Sequence, residues 1–388
     1  MKYNFDATPN RRRSNSIKWT KYPADTLPLW VADMDFPSPQ PISKEVHRFA
    51  EHGVFGYELP GESLYETVAA RMENLYNWKV KSDSVTAVTG IVSGFSVAAR
   101  AFCTPKKGLL VQTPVYNEFH EVKNNVGIPQ IDAPFVEHVN GNILSYEIDW
   151  GIFKRQVKRA GVFLLCNPHN PLGIIFSRKD LRRMAEICIE NDVLIVSDEI
   201  HSELLLDGKQ FTPLATLSKE IADRTITLVS PSKSFNVAGL FCGFAIIPNR
   251  ELRERYQKEV DSLRLHVGSV GLGVAQVAFS GKCDDWLHSL NQYLTANRDF
   301  MVAYVTEKMP GVRITIPDAT YLAWLDFTQL ELKKSSYEFF LKEAKVALSD
   351  GKVFGKEGEG RVRLNFGTSR RLLQQGLDRM RKAIQSIK

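Results

Sequence analysis

The chain has 388 residues, 44% hydrophobic and 24% charged, which excludes a disordered, collagen-like or membrane-embedded polypeptide. At roughly 100–200 residues per domain, two domains are expected. Fifty Lys and Arg against 44 Asp and Glu leave a net charge of +6, too small and dispersed to mark a nucleic-acid binder. The run Arg11, Arg12 and Arg13 reads as a solvated arm.

The five cysteines, Cys103, Cys166, Cys188, Cys242 and Cys283, are far apart and form no C-x-x-C pair, so they read as reduced thiols. The opening MKYNFDATPN lacks the apolar core of a signal peptide, and no run approaches the ~20 apolar residues of a membrane helix. The expected location is the cytoplasm, with no membrane contact. The eight histidines show no ligand spacing, and no metal is expected.

Between residues 85 and 247, short β-branched runs alternate with stretches of helical periodicity, the pattern of a parallel sheet flanked by helices. Val85–Val88 reads as a strand before a helix over Ser93–Phe102, and Leu109–Gln112 as a strand before a helix starting near Tyr116. Ile128–Phe135 continues the strand series. Val162–Leu165 is an apolar strand, followed by a Pro/Asn/Gly loop. In the helix Arg178–Glu190 that comes next, Leu181, Met184, Ala185 and Cys188 share one face. Val193–Val196 and Ile226–Val229 read as strands buried on both faces. Long helices fill Arg250–Met309, with a turn around Ser280, Gly281 and Lys282. After Pro310 and Gly311, strands over Val312–Ile316 and Tyr321–Phe327, a helix near Ser335–Lys345 and a last helix from Arg371 suggest a smaller α+β unit. Gly268, Gly271 and Gly273 imitate a dinucleotide fingerprint, but no strand precedes them, and a helix-packing seam is the better reading. No P-loop motif occurs.

Four segments lie just beyond the carboxyl ends of the expected strands, where open α/β sheets assemble ligand sites. They are Thr89 to Ser93, Asn167 to Gly173, Ser197 to His201 and Ser230 to Ser234. They offer backbone N–H groups at a helix start, an amide in a rigid turn, a carboxylate, and a lysine flanked by hydroxyls. An anion, a phenolic oxygen, a ring nitrogen and an aldehyde would be matched in turn. Taken singly, Lys233 reads as a surface lysine in a Ser-rich turn and Asp198 as a strand-end cap; the combination and its order carry the signal.

N-P-x-N-P-x-G, D-E-x-H and S-x-S-K in this order resemble the fold type I pyridoxal-5′-phosphate (PLP) enzymes of the class I/II aminotransferase superfamily. Leu29 to Phe36, Phe55-Gly56-Tyr57, Thr113 to Tyr116, Ser230 to Leu240 and Arg361 to Arg370 are similar to the MalY/PatB-type cystathionine β-lyases, a carbon–sulfur lyase branch. The resemblance implies an α/β fold: a large PLP-binding domain over 41–285 with a mostly parallel seven-stranded sheet flanked by helices. Residues 1–40 and 286–388 would form the smaller α+β domain.

The same resemblance implies roles. Lys233 would bind the cofactor covalently and serve as base, Asp198 would pair with the pyridine nitrogen, and Asn170 would meet the phenolic oxygen. Tyr116 would stack on the ring, with His201 tuning the phenolic side. The N–H groups of Ile91 and Val92, helped by Ser230 and Ser232, would hold the phosphate. Phe241 stands eight positions after Lys233, where many aminotransferases carry an arginine, which favours the lyase branch. Arg363 would take the substrate's α-carboxylate, Ala32 would contact substrate through its N–H, and Trp30 would form a wall. Tyr57 would reach the phosphate of a neighbouring subunit, implying a homodimer with shared sites. The implied activity is cleavage of L-cystathionine or another S-substituted cysteine to pyruvate, ammonia and thiol. An aminotransferase using the same residues, or a regulatory partner-binding protein on this fold, remain the alternatives.

Overall fold

The computed structural model describes residues 3–387. Seven strands form one sheet in the order Val85–Val88, Gly243–Ile246, Thr225–Val229, Leu194–Asp198, Ala160–Cys166, Gly108–Val111, Gln130–Asp132. All pair in parallel except Gly243–Ile246, which runs antiparallel to both its neighbours. The central strands are buried along their whole length, as two-sided cover requires. Helix Ile91–Phe102 packs on one face with Arg250–Ser262, around Phe95, Val97 and Tyr256. Helices Trp150–Val157 and Arg178–Glu190 cover the other through Phe153, Leu181 and Met184.

A second sheet of six strands has the order Ser349–Asp350, Arg361–Asn365, Leu322–Asp326, Arg313–Thr315, Ile143–Ile148, Phe135–Asn140. The stretch expected as one strand over Ile128–Phe135 is divided between the two sheets. Gln130–Asp132 pairs with Gly108–Val111, whereas Phe135 begins a hairpin that leaves for the second sheet. Pro134, which has no N–H to give to a ladder, stands between the two. The region expected as a helix near Ser335–Lys345 is one α-helical turn, Ser336–Phe339, widening into a π-turn that ends where Lys345 turns left-handed at φ 51°.

The N-terminal segment is tied to this second unit by the parallel pairing of Leu27–Pro28 with Val346–Ala347. Two of the glycines near 270 pack closely: a Cβ on Gly271 would lie 2.6 Å from the Leu240 carbonyl, and one on Gly273 2.5 Å from the Phe49 ring, whereas Gly268, at the helix start, has nothing within 4 Å. Among the described residues no helix is long and apolar enough to cross a membrane.

Candidate active site

A cavity of about 370 Å³ opens at the carboxyl ends of the parallel strands, and Lys233, Asp198, Asn170, Tyr116, His201 and Ser232 all line it. Asp198 ends its strand and the others stand just beyond the end of one, so their convergence follows from the strand order 225–229, 194–198, 160–166, 108–111.

Gly90 precedes helix Ile91–Phe102 at φ 123°, in a region other residues rarely adopt. It places no side chain over the first turn, so the N–H groups of Ile91 and Val92 border the cavity. That is a ready site for an anion. Thr89 and Ser93 add hydroxyls there, linked at 3.1 Å. Ser230 is not among the lining residues. Its Oγ lies 2.6 Å from the Cys242 carbonyl and accepts the Ser232 N–H at 3.1 Å, so it caps the turn that presents Ser232 and Lys233.

Asp198 ends its strand with Oδ1 accepting the Ile200 N–H at 3.1 Å. Burial pushes its carboxyl up to about 7, against the pull of that hydrogen bond and of Lys233. A cation seated at the carboxylate would reverse the shift. Lys233 is pushed down to about 8 by burial and by Arg363, with Asp33 and Asp198 opposing. Its Nζ donates to the Ala32 carbonyl at 2.8 Å. Ala32, expected to meet substrate through its N–H, meets Lys233 through its carbonyl.

Asn170 is fixed from both ends: its N–H reaches Cys166 Sγ at 3.4 Å, and its carbonyl accepts the Tyr116 N–H at 3.0 Å. Its side-chain oxygen accepts from Arg363, Nη1 to Oδ1 3.0 Å. Arg363 Nη2 also donates to the Trp30 carbonyl at 2.9 Å and to Ser349 Oγ at 3.2 Å, and the guanidinium lies 5.0 Å from the Phe354 ring centroid. Burial lowers its pKa to about 10. His201 is pushed well below the usual imidazole range by burial, Lys233 and Arg363, and its buried Nδ1 has no partner among the described residues.

Besides Ser230 and Arg363, two expected residues lie outside the cavity lining. The Trp30 indole turns away, its Nε1 donating to the Lys18 carbonyl at 3.1 Å and its ring edge-on to Tyr22, so Trp30 serves the site through its backbone oxygen. Tyr57 is fully exposed at 107% relative accessibility and lies outside the cavity. Conversely, Tyr321, Ser349, Phe354 and Ile200 contribute without having been singled out. Only Ile200 had a local signal, being inside the D-E-x-H run; the others depend on pairing between distant strands.

The donor set suits PLP. The lowered lysine amine would suit an aldehyde, Asp198 a pyridine nitrogen, the helix start after Gly90 with Ser232 a phosphate, and the Tyr116 ring and apolar Ile200 side chain an aromatic ring.

The chain belongs to the aminotransferase class I and II family, whose model matches residues 28–380. It is similar to the cystathionine β-lyase PatB of Bacillus subtilis (strain 168), at 37% identity over 98% of this chain and 100% of that protein. A cystathionine β-lyase of Corynebacterium glutamicum is 33% identical over 96% of each chain. The crystal structure of cystalysin from Treponema denticola, which contains PLP, superposes with a TM-score of 0.94 at 28% identity, covering 100% of both chains.

Proposed function

We propose that this protein is a PLP-dependent carbon–sulfur β-lyase acting on L-cystathionine or a related S-substituted cysteine, yielding pyruvate, ammonia and a thiol. The observation that carries the reading is the convergence of Lys233, Asp198 and Asn170 on one cavity, with Arg363 hydrogen-bonded to Asn170, in a chain alignable end to end with a cystathionine β-lyase.

When bound, PLP supplies the electron sink for charge developing at the substrate's Cα. The chain does the rest. Arg363 binds the α-carboxylate and, through Asn170, is held in register with the ring position. Asp198 would keep the pyridine nitrogen protonated, and the N–H groups of Ile91 and Val92 with the Ser232 hydroxyl would hold the phosphate. Tyr116 would pack against the ring. Lys233 would hold the cofactor and, once its amine is free, take the proton from Cα. A positioned base of this kind contributes about 10²–10⁴-fold. The thiolate then leaves from Cβ, and water completes the conversion to pyruvate and ammonia.

In this reading residues 41–285 make the large domain and 1–40 with 286–388 the smaller one, except that the hairpin Phe135–Ile148 joins the six-stranded sheet of the smaller unit. The exposed run Val54, Phe55, Tyr57 and Leu59 supports a homodimer in which Tyr57 reaches the partner's phosphate. The five buried free cysteines support a reducing, cytoplasmic setting.

The test is incubation of purified protein with L-cystathionine without any 2-oxo acid. Stoichiometric pyruvate, ammonia and thiol are expected. Strict dependence on an added 2-oxo acid, with no thiol released, would make the protein an aminotransferase instead.

A further inference from the structure

The Ala32 carbonyl oxygen accepts two hydrogen bonds, from Lys233 Nζ at 2.8 Å and from the Tyr321 hydroxyl at 2.9 Å. Two lone pairs allow both at once. Tyr321 stands just before strand Leu322–Asp326 of the six-stranded sheet, 1% exposed, its ring edge-on to His201 with centroids 6.0 Å apart. Its own carbonyl accepts the Phe366 N–H at 2.9 Å, so its backbone is tied into the sheet. Asn365 Nδ2 meanwhile donates to the carbonyls of Val31 and, at 2.7 Å, Asp33. The carbonyls on either side of Ala32 are therefore clamped by Asn365, and the direction of the Ala32 carbonyl itself is set by Tyr321.

We propose that Tyr321 is a positioning residue for the proton transfer made by Lys233: by fixing the Ala32 carbonyl it fixes where the free lysine amine rests. The proposal deepens the lyase reading and rests on it. A lysine is a point charge on a flexible four-carbon stem, whose position is only as well defined as its acceptor. Misplacing a reacting group by ~1 Å costs on the order of 10²-fold in rate. Tyr321→Phe removes the hydroxyl and keeps the ring against His201, so packing survives while the carbonyl loses its second donor.

The experiment compares wild type and Tyr321→Phe on L-cystathionine and its α-deuterated form. We expect kcat to fall about 10- to 100-fold, KM to stay within about twofold because Arg363 is untouched, and the deuterium effect on kcat to grow as proton transfer becomes slower. The melting temperature should not move. In parallel, both full-length proteins are stripped of PLP, and its reattachment is timed by borohydride trapping and mapping of the Lys233 peptide; the variant should attach more slowly. An unchanged kcat and isotope effect, or a loss confined to KM or melting temperature with normal attachment, overturns the proposal. If wild type releases no pyruvate from L-cystathionine the lyase reading fails, and the attachment rate alone then decides the role of Tyr321.

Discussion

Arg363 and Asn170 are 193 positions apart in sequence and meet at 3.0 Å. One belongs to the six-stranded sheet, the other to the loop leaving a central strand of the seven-stranded sheet. On the proposed reading the pair would tie the substrate's carboxylate anchor to the residue that would face the cofactor ring, so a substrate held by one would be aligned with the other.

Replacing Arg363 by Lys keeps a charge and loses the planar fork that spans Asn170, Ser349 and the Trp30 carbonyl. We expect kcat/KM for L-cystathionine to drop by about 10²-fold, while the visible absorbance of the lysine-bound cofactor persists. Unchanged kinetics would require another anchor. Arg370 is a poor substitute, because its Nε donates to Asn297 Oδ1 at 2.8 Å and its guanidinium lies 4.6 Å from the Phe300 ring centroid.

Ser349 supports that arginine. Its hydroxyl donates to the Trp30 carbonyl at 2.9 Å while accepting from Arg363. In Ser349→Ala both hydrogen bonds are lost, the one to Arg363 worth roughly 1 kcal/mol, and KM should rise about fivefold with kcat nearly unchanged. A fall in kcat at constant KM would assign Ser349 to the chemical step.

Lys233 has its pKa lowered from 10.5 to about 8. Only the neutral amine attacks an aldehyde, so covalent PLP uptake by the stripped protein should accelerate as pH rises through about 8 and level off above it. An ordinary lysine of pKa ≈ 10.4 would be only about 0.4% neutral there. Arg363→Met removes a cation that depresses the amine, and the midpoint should move upward. A rate still climbing steeply beyond pH 10 in wild type would contradict the depressed pKa. Lys233→Ala should abolish the borohydride-fixed label altogether.

The segment that carries Ala32 depends on buried ion pairing. Lys18 Nζ meets Asp35 Oδ2 at 2.9 Å, with Arg11 on Oδ1 at 2.9 Å. Burial pushes the Asp35 carboxyl upward, but Lys18 and the hydrogen bond from Trp19 bring it below the usual range. Breaking a buried pair typically costs about 3–5 kcal/mol. Lys18→Met should therefore shift the denaturation midpoint markedly and lower activity with it. Full stability would show that Arg11 alone carries the charge balance.

The shared-site reading is checked by mixing two inactive variants, Tyr57→Ala and Lys233→Ala, under conditions of subunit exchange. If Tyr57 acts on the partner's site, a heterodimer has one doubly damaged site and one intact site, and activity returns in part. Proven exchange without recovery would place Tyr57 outside the catalytic arrangement.

The sequence alone determined what is written in short stretches. Apolar runs of four to seven residues mark the central parallel strands because both faces are covered, and the strand ends and following segments carry Asp198, Asn170 and Lys233 in recognisable local motifs. Helix Arg178–Glu190 appears with its expected bounds, since its apolar face repeats at helical spacing and Ser177 caps it. Tertiary structure alone decided what depends on distant strands meeting. It sent Phe135–Ile148 to the second sheet, turned the Trp30 indole toward Lys18, made Ser230 a cap behind Ser232, and brought Tyr321 and Ser349 to the site. A side chain's direction there follows from register and from competition for hydrogen-bond partners, and neither is encoded within a single stretch of chain.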